Sequence, residues 1–177
     1  GDNDAAIRSG SPSLALYRLA GSESEIAALE NDLALAHLAS GHIARAKELI
    51  ADSHERFARL HDERWLAHVD ETAAQIALAD GRPDRALELA HLAESAAARL
   101  DNDSARISAL LSIARANTAL GNAETGLADF ERAATLARQA GLRPLRRDIL
   151  GQWADVLAKS GQHEQAYALT REALSAG

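Results

Sequence analysis

The fold is decided by residues 74–93, which read AQIALADGRPDRALELAHLA. In this stretch Gly81 follows Ala74 by seven positions and precedes Ala86 and Ala93 by five and twelve. Glycines recur every 40 residues, at Gly41, Gly81, Gly121 and Gly161. The small residues around the other three are Ala34, Ala46 and Ser53; Ala114, Gly126 and Ala133; and Ala154, Ala166 and Ala173. Such a fixed period predicts a repeat protein in which each unit packs on its neighbours.

Each unit is predicted to be a helical hairpin. Ile26, Leu29, Leu33 and Ala36 recur at three- and four-residue steps, which is the apolar stripe of an amphipathic helix. The glycine then ends the first helix, because it adopts the left-handed conformation of a helix C-terminus without strain. The chain is therefore predicted to be all-α. The predicted first helices span residues 23–39, 62–79, 104–119 and 144–159, and the second helices 43–60, 83–99, 123–140 and 162–175.

The pattern Ala74, Gly81, Ala86 and Ala93, repeated across about residues 23–175, resembles the tetratricopeptide repeat (TPR). HEAT and armadillo repeats have a unit of about 40–47 residues, closer to the length here than the usual TPR unit of about 34. The TPR interpretation is preferred because the glycines and small residues keep register and no proline recurs within the first helices. The resemblance implies a right-handed α-solenoid of about four TPR-like hairpins.

The long units are similar to those of the maltose-regulator type in bacterial transcription regulators. The last unit, which contains RRDIL at 146–150 and WADVL at 153–157, resembles the C-terminal end of helix-turn-helix regulators. The implied function is a protein- or peptide-binding TPR module, forming the C-terminal sensor or oligomerisation region of a larger regulator. A passive assembly scaffold without a signalling role is the alternative.

Two segments follow from the repeat boundaries. Residues 1–21 are predicted to form a capping or linker segment, in which the sequence SGSP at 9–12 interrupts any helix before a short one over 12–20. Residues 22–177 form the repeat domain, with units 22–61, 62–101, 102–141 and 142–177. No polar capping helix follows the last unit, so Tyr167, Leu169 and Leu174 are predicted to be open or to meet a second subunit. A homodimer is the resulting hypothesis.

Composition narrows the function further. The 177 residues carry 19 basic and 26 acidic side chains, a net charge of −7, which argues against nucleic-acid binding through this region. Cysteine is absent, which excludes disulfides and thiol nucleophiles. No apolar run is long enough for a membrane span, and the first residues lack the features of a signal peptide. A cytoplasmic protein is predicted, and because position 1 is not methionine, a longer parent chain is expected.

No motif indicates an enzyme or a cofactor site. The sequence lacks nucleotide-binding glycine loops, a His-Glu-x-x-His zinc motif and a Gly-x-Ser-x-Gly nucleophile elbow. His54, His61 and His68 are spaced by seven, but the turn expected near residue 61 breaks their alignment, so no metal site is predicted. Three arginines lie close together at Arg143, Arg146 and Arg147. They either bind an acidic partner or phosphate, or they are ordinary solvated surface residues. Trp65 and Trp153 are predicted to be packing anchors.

The TPR resemblance implies that the first helices line a concave groove where partner segments lie. Positions thirteen, ten, nine and six before each turn glycine then face it. The candidate binding residues at these positions are Asn31, His68, Glu71, Gln75, Ser108, Arg115, Asp148, Gln152 and Asp155. The set lacks the combination of lysine and asparagine residues that resembles a clamp for C-terminal carboxylates, which argues against that ligand class. Four of these side chains could hydrogen-bond an extended peptide, or they are ordinary polar residues on an open face. They are Asn31, Gln75, Arg115 and Gln152.

Overall fold

The computed structural model describes residues 2–175, and this part of the chain contains nine α-helices and no strand. They are α1 (Asp2–Ala20), α2 (Glu23–Ala39), α3 (Ile43–Leu60), α4 (Glu63–Ala79), α5 (Pro83–Arg99), α6 (Asp103–Ala119), α7 (Ala123–Gln139), α8 (Arg143–Lys159) and α9 (His163–Ser175). From α2 onward they form four consecutive hairpins. The prediction of an all-α solenoid of helical hairpins is confirmed, and every predicted helix end from residue 23 onward lies within one residue of the observed end.

The hairpins stack so that their first helices share one side of the molecule. α2 packs on α4 and α4 packs on α6, while α3, α5 and α7 cover the other side of these helices. α8 packs mainly on α7 and α9. The surface formed by α2, α4 and α6 is called the inner face below.

Left-handed residues end the helices at intervals of 20 residues, half the period seen in the sequence. At the first hairpin, the Gly41 N–H donates to the Leu38 carbonyl (3.0 Å) and the His42 N–H to the His37 carbonyl (2.8 Å), so two carbonyls of the last turn are satisfied. The residues with positive φ are Gly21, Gly41, His61, Gly81, Asp101, Gly121, Gly141 and Gly161. The sequence pattern missed the half-period because His61 and Asp101 replace glycine in two of the turns between hairpins.

Helix α1 corrects one prediction. We expected SGSP at 9–12 to interrupt the helix, but α1 continues through Pro12. The Ser9 hydroxyl donates to the Ala5 carbonyl and the Ser13 hydroxyl to the Ser9 carbonyl, each at 3.0 Å. Gly10 lies directly against Leu33 of α2, where a Cβ on residue 10 would come within 2.6 Å of that side chain. Close packing on α2 therefore holds a helix that local propensity disfavours.

Small residues allow the helices of each hairpin to approach closely. Ala34, Ala74 and Ala114 on first helices, and Ala46 and Ala86 on second helices, are fully buried. At the same register Gly126 of α7 faces α6, where a Cβ would lie 2.6 Å from the Thr118 hydroxyl oxygen and 3.1 Å from the Ala114 carbonyl oxygen. The recurring small residues of the sequence are thus the positions at which paired helices touch.

A buried ion-pair network joins the first three helices. Glu30 of α2 is fully buried, and its carboxylate accepts from Arg18 Nη2 of α1 (3.1 Å) and from Arg56 Nε of α3 (3.0 Å). Arg56 also pairs with Glu23 at 2.6 Å. The carboxylate is therefore matched by two guanidinium groups, as a charge inside a protein requires.

Candidate functional site

Two adjoining cavities form a continuous groove on the inner face. The first, of about 590 Å³, lies between α1, α2, α4 and α6, and Arg115 and Gln75 line it. The second, of about 470 Å³, lies between α2 and α4, and Trp65 and His68 line it. Asp32 and Leu35 border both. We call them the Arg115 cavity and the Trp65 cavity, and together the N-terminal groove.

Asn31 lies in the wall of the Trp65 cavity with its amide group unused. The residue is 5% exposed, and its Oδ1 is buried without a hydrogen-bond partner. Nor does its amide nitrogen donate to any group between residues 2 and 175. Leaving a buried amide unpaired costs about 1–3 kcal/mol. The site therefore contains a polar group that the fold itself does not satisfy.

Glu71 is held in a polar cluster on the floor of the groove. Its two carboxylate oxygens accept from Gln75 Nε2 at 2.9 and 2.8 Å, and one of them also accepts from the Ser112 hydroxyl at 3.1 Å. Burial raises the pKa of the Glu71 carboxyl, while these hydrogen bonds and the charge of Arg115 oppose the rise. The cluster ties α4 to α6 and leaves Glu71 little capacity for a ligand.

Arg115 is the one arginine of the described chain that is partly buried and has no ion-pair partner. Four arginines between residues 2 and 175 are partly buried. Three are paired, Arg56 with Glu23 and Glu30, Arg106 with Glu94, and Arg146 with Glu172. Arg115 has neither an ion pair nor a hydrogen bond among these residues. Its guanidinium lines the groove with all its donors free.

Aromatic rings close one end of the groove. Trp65 stacks on Phe57 with ring centroids 5.0 Å apart and contacts His68 edge to face at 5.8 Å. The Asp62 side chain caps α4 by accepting from the backbone N–H of Trp65 at 3.1 Å, which places Trp65 in the first turn of that helix. Burial and the nearby charge of Arg64 lower the pKa of His68, which favours its neutral form. Trp65 is thus both the predicted packing anchor and part of the groove wall.

The structure brings together five of the nine candidate residues. Asn31, His68, Glu71, Gln75 and Arg115 line the N-terminal groove. The other four line neither cavity: Ser108 is partly buried on α6, and Asp148, Gln152 and Asp155 lie on α8, where Gln152 donates to Asp148 at 2.9 Å.

Several lining residues were missed by the sequence analysis. Arg64 and Trp65 lie one helical turn before His68, so extending the register of α4 by a turn would have found them. Asn3 and Ala6 of α1 border the Arg115 cavity. They were missed because Pro12 was taken as the start of the first helix.

Apart from His68, the arginine and histidine groups that were considered as anion or metal sites lie outside the N-terminal groove. Arg146 pairs with Glu172 of α9, whereas Arg143 and Arg147 are exposed. His54 lies 3.5 Å from Asp70, and His61 ends α3. No group of three or more potential metal ligands is present in the part of the chain that the structure describes. In the same part, no helix is both long and apolar enough to cross a membrane.

Comparison with known proteins identifies the fold. No protein-family model and no curated protein sequence matches the chain. The kinesin light chain-type TPR-like repeats of Podosopora anserina align with a TM-score of 0.72 and 20% identity, over 99% of this chain and 87% of that one.

Two larger proteins contain a similar array. A Rap protein complexed with Competence and Sporulation Factor gives a TM-score of 0.81 at 12% identity, over 96% of this chain. A STAND protein with a tetratricopeptide repeat sensor from Pyrococcus horikoshii gives 0.70 at 15% identity, over 88% of this chain. The matched regions are 49% and 24% of those two proteins. The chain therefore has the fold of TPR-like helical repeat proteins.

Proposed function

We propose that this chain is a protein-interaction module whose N-terminal groove binds an extended peptide segment of a partner. The observation that carries the proposal is the unpaired amide of Asn31 in the wall of an open groove. An extended peptide has an N–H and a C=O on every residue that need partners, and a side-chain amide supplies one donor and one acceptor to the same peptide bond. Because Oδ1 is buried in the unbound chain, the Asn31 side chain turns toward the groove on binding, which gives partners both to its amide and to the peptide bond.

The groove also offers apolar contacts for the side chains of such a peptide. Leu35, Leu38 and Ala79 border the Arg115 cavity, and Trp65 borders the neighbouring one. Successive side chains of an extended peptide point in opposite directions, so alternate residues would reach this surface while the main chain reaches Asn31. The similarly folded Rap protein, which is complexed with Competence and Sporulation Factor, supports a binding role for such an array.

A binding experiment with defined peptides tests this proposal. The full chain is immobilised and presented with a randomised library of N-acetylated, C-amidated decapeptides, and the affinity of an enriched peptide is measured by fluorescence anisotropy. Asn31→Ala is expected to weaken binding by about tenfold, since a hydrogen bond is lost from a desolvated site. The control, Gln152→Ala, removes an amide on α8 that lines neither cavity and should bind as the parent does. Equal loss in both variants, or no enriched peptide, would contradict the proposal.

We further propose that the module is the C-terminal sensor or oligomerisation region of a larger, cytoplasmic bacterial transcription regulator. The resemblance of the last unit to helix-turn-helix regulators supports this, as does the sensor array of the similarly folded STAND protein. Tyr167 and Leu174 of α9 are 67% and 77% exposed and seven residues apart, which suits pairing with a second copy. Light scattering should give the mass of a dimer for the parent and of a single chain for the double variant Tyr167→Ser, Leu174→Ser. A single-chain mass for the parent would contradict self-association.

A further inference from the structure

The Arg115 guanidinium has no ion pair or hydrogen bond among residues 2–175, although its charge reaches the buried Glu71 carboxyl. A partly buried charge is screened less by water and salt than an exposed one, so an unpaired position is costly. Elsewhere the fold avoids this cost, because the other partly buried arginines of residues 2–175 all face carboxylates within 4.0 Å. The exception is the one that lines the Arg115 cavity.

Neighbouring acidic residues do not occupy the Arg115 donors. The Glu71 carboxylate accepts hydrogen bonds from Gln75 and Ser112 and interacts with Arg115 only beyond ion-pair distance, so the Arg115 donors stay unoccupied. Asp32 lines the same cavity but is exposed, so its charge is largely screened and would oppose an incoming anion only weakly. A carboxylate placed in the cavity would therefore feel Arg115 more strongly than Asp32.

We infer that the peptide bound in the N-terminal groove carries an aspartate or glutamate side chain that pairs with Arg115. This inference rests on the proposed function and names the chemistry of its partner. The planar guanidinium offers two parallel N–H donors to a carboxylate, a geometry that adds specificity as well as affinity. The acidic side chain enters beside the apolar surface of Leu35 and Leu38 while the main chain runs on to Asn31.

The carboxylate belongs to a side chain and not to the end of the peptide. The two cavities share Asp32 and Leu35 in their walls, so one peptide can occupy both. A side-chain carboxylate reaches Arg115 while the main chain continues through both cavities, whereas a C-terminal carboxylate would end the chain at that point.

A positional-scanning library of decapeptides with blocked ends tests the inference, because blocking removes both terminal charges. The parent should enrich aspartate or glutamate at one position. Arg115→Gln should bind peptides without that preference, and Arg115→Glu should prefer lysine or arginine there. The matched control is Arg82→Gln, which removes an exposed arginine that lines neither groove cavity but borders another one between α3, α4 and α5, and it should keep the acidic preference.

A double-mutant cycle then measures the pair directly. For one enriched decapeptide, replacing its acidic residue with the matching amide should weaken binding to the parent by at least about tenfold and leave binding to Arg115→Gln unchanged. Circular dichroism of each variant checks that its helices are intact.

The other outcomes of these binding experiments contradict either the inference or the proposed function. Peptides that require Asn31 but show no acidic preference, or an acidic preference that survives in Arg115→Gln, would overturn the inference and leave the proposed function in place. A carboxylate preference found only in a library with free C-termini would overturn the assignment to a side chain. If no decapeptide binds the parent, the proposed function itself fails.

Discussion

Polar groups at the interfaces between helices differ from those that line the N-terminal groove. At the interfaces, three buried polar side chains have partners: Glu30 with Arg18 and Arg56, Ser53 with the Ala27 carbonyl, and Asn117 with Asp129. Among the residues that line the groove, Glu71 and Gln75 bond each other, whereas Asn31, Thr72 and Arg115 make no hydrogen bond among residues 2–175. One interface atom, Trp153 Nε1, is an exception beside a 210 Å³ cavity near α7 and α9. The difference separates groups that hold the fold from groups available to a ligand.

The largest expected change in the free energy of unfolding comes from removing the Glu30 carboxylate, which two arginines contact at the interface between helices. Glu30→Ala leaves Arg56 partly buried with fewer counter-charges and should lower the free energy of unfolding by about 3 kcal/mol. Chemical denaturation in urea measures this. Arg18→Ala is the control from the same network: that side chain is 51% exposed, so its loss should cost at most about 1 kcal/mol. A Glu30→Ala effect no larger than that of Arg18→Ala would contradict the contrast.

Gly126 lies on a packed helix face and Gly151 on an open one, so replacing each with alanine compares the two faces. Gly126→Ala forces a methyl group against Thr118 and the Ala114 carbonyl, so it should destabilise the protein by about 1–3 kcal/mol. Gly151→Ala meets no atom and adds helix propensity to α8, so it should stabilise the protein by about 0.5–1 kcal/mol. Thermal unfolding of both variants should show opposite shifts. Shifts of the same sign would contradict the close α6–α7 contact.

Two buried asparagines give the sharpest version of the contrast. Asn117→Ala loses the bond to Asp129 at 2.9 Å and should lower the free energy of unfolding by about 1–2 kcal/mol. Asn31→Ala removes a buried oxygen that has no partner, so the relieved desolvation cost should offset the lost packing, and the free energy of unfolding should stay the same or rise by up to about 1 kcal/mol. Urea denaturation distinguishes them. A loss for Asn31→Ala as large as that for Asn117→Ala would indicate a structural role for Asn31.

The smallest expected effect is a dependence on pH. Burial raises the pKa of Glu71 in the folded state, so the folded protein holds its proton to higher pH than the unfolded chain does. Stability should therefore fall as pH rises from the unfolded value of 4.5 through the folded pKa, and this fall is absent from Glu71→Gln. Parallel pH profiles for the parent and Glu71→Gln would contradict the raised pKa.

Much of the fold follows from the sequence, because the glycines and small residues mark turns and contacts that local chemistry dictates. Counting ten residues back from Gly41 places Asn31 on the inner face, where the structure also has it. Helix α1 was mispredicted because its continuity depends on Gly10 packing against Leu33, which is a tertiary contact. Asp148 and Asp155 occupy equivalent register positions but lie outside the cavities, because register does not determine how closely α8 approaches the earlier helices.

The most direct test of the central claim is a two-dimensional NMR titration of the 15N-labelled chain with an enriched, end-blocked decapeptide. The side-chain amide signals of Asn31 and Asn117 are assigned by their loss in the corresponding alanine variants. The groove account predicts that the Asn31 signals shift in proportion to the bound fraction while those of Asn117 remain in place. Binding that leaves the Asn31 signals unmoved would place the peptide elsewhere and contradict the account.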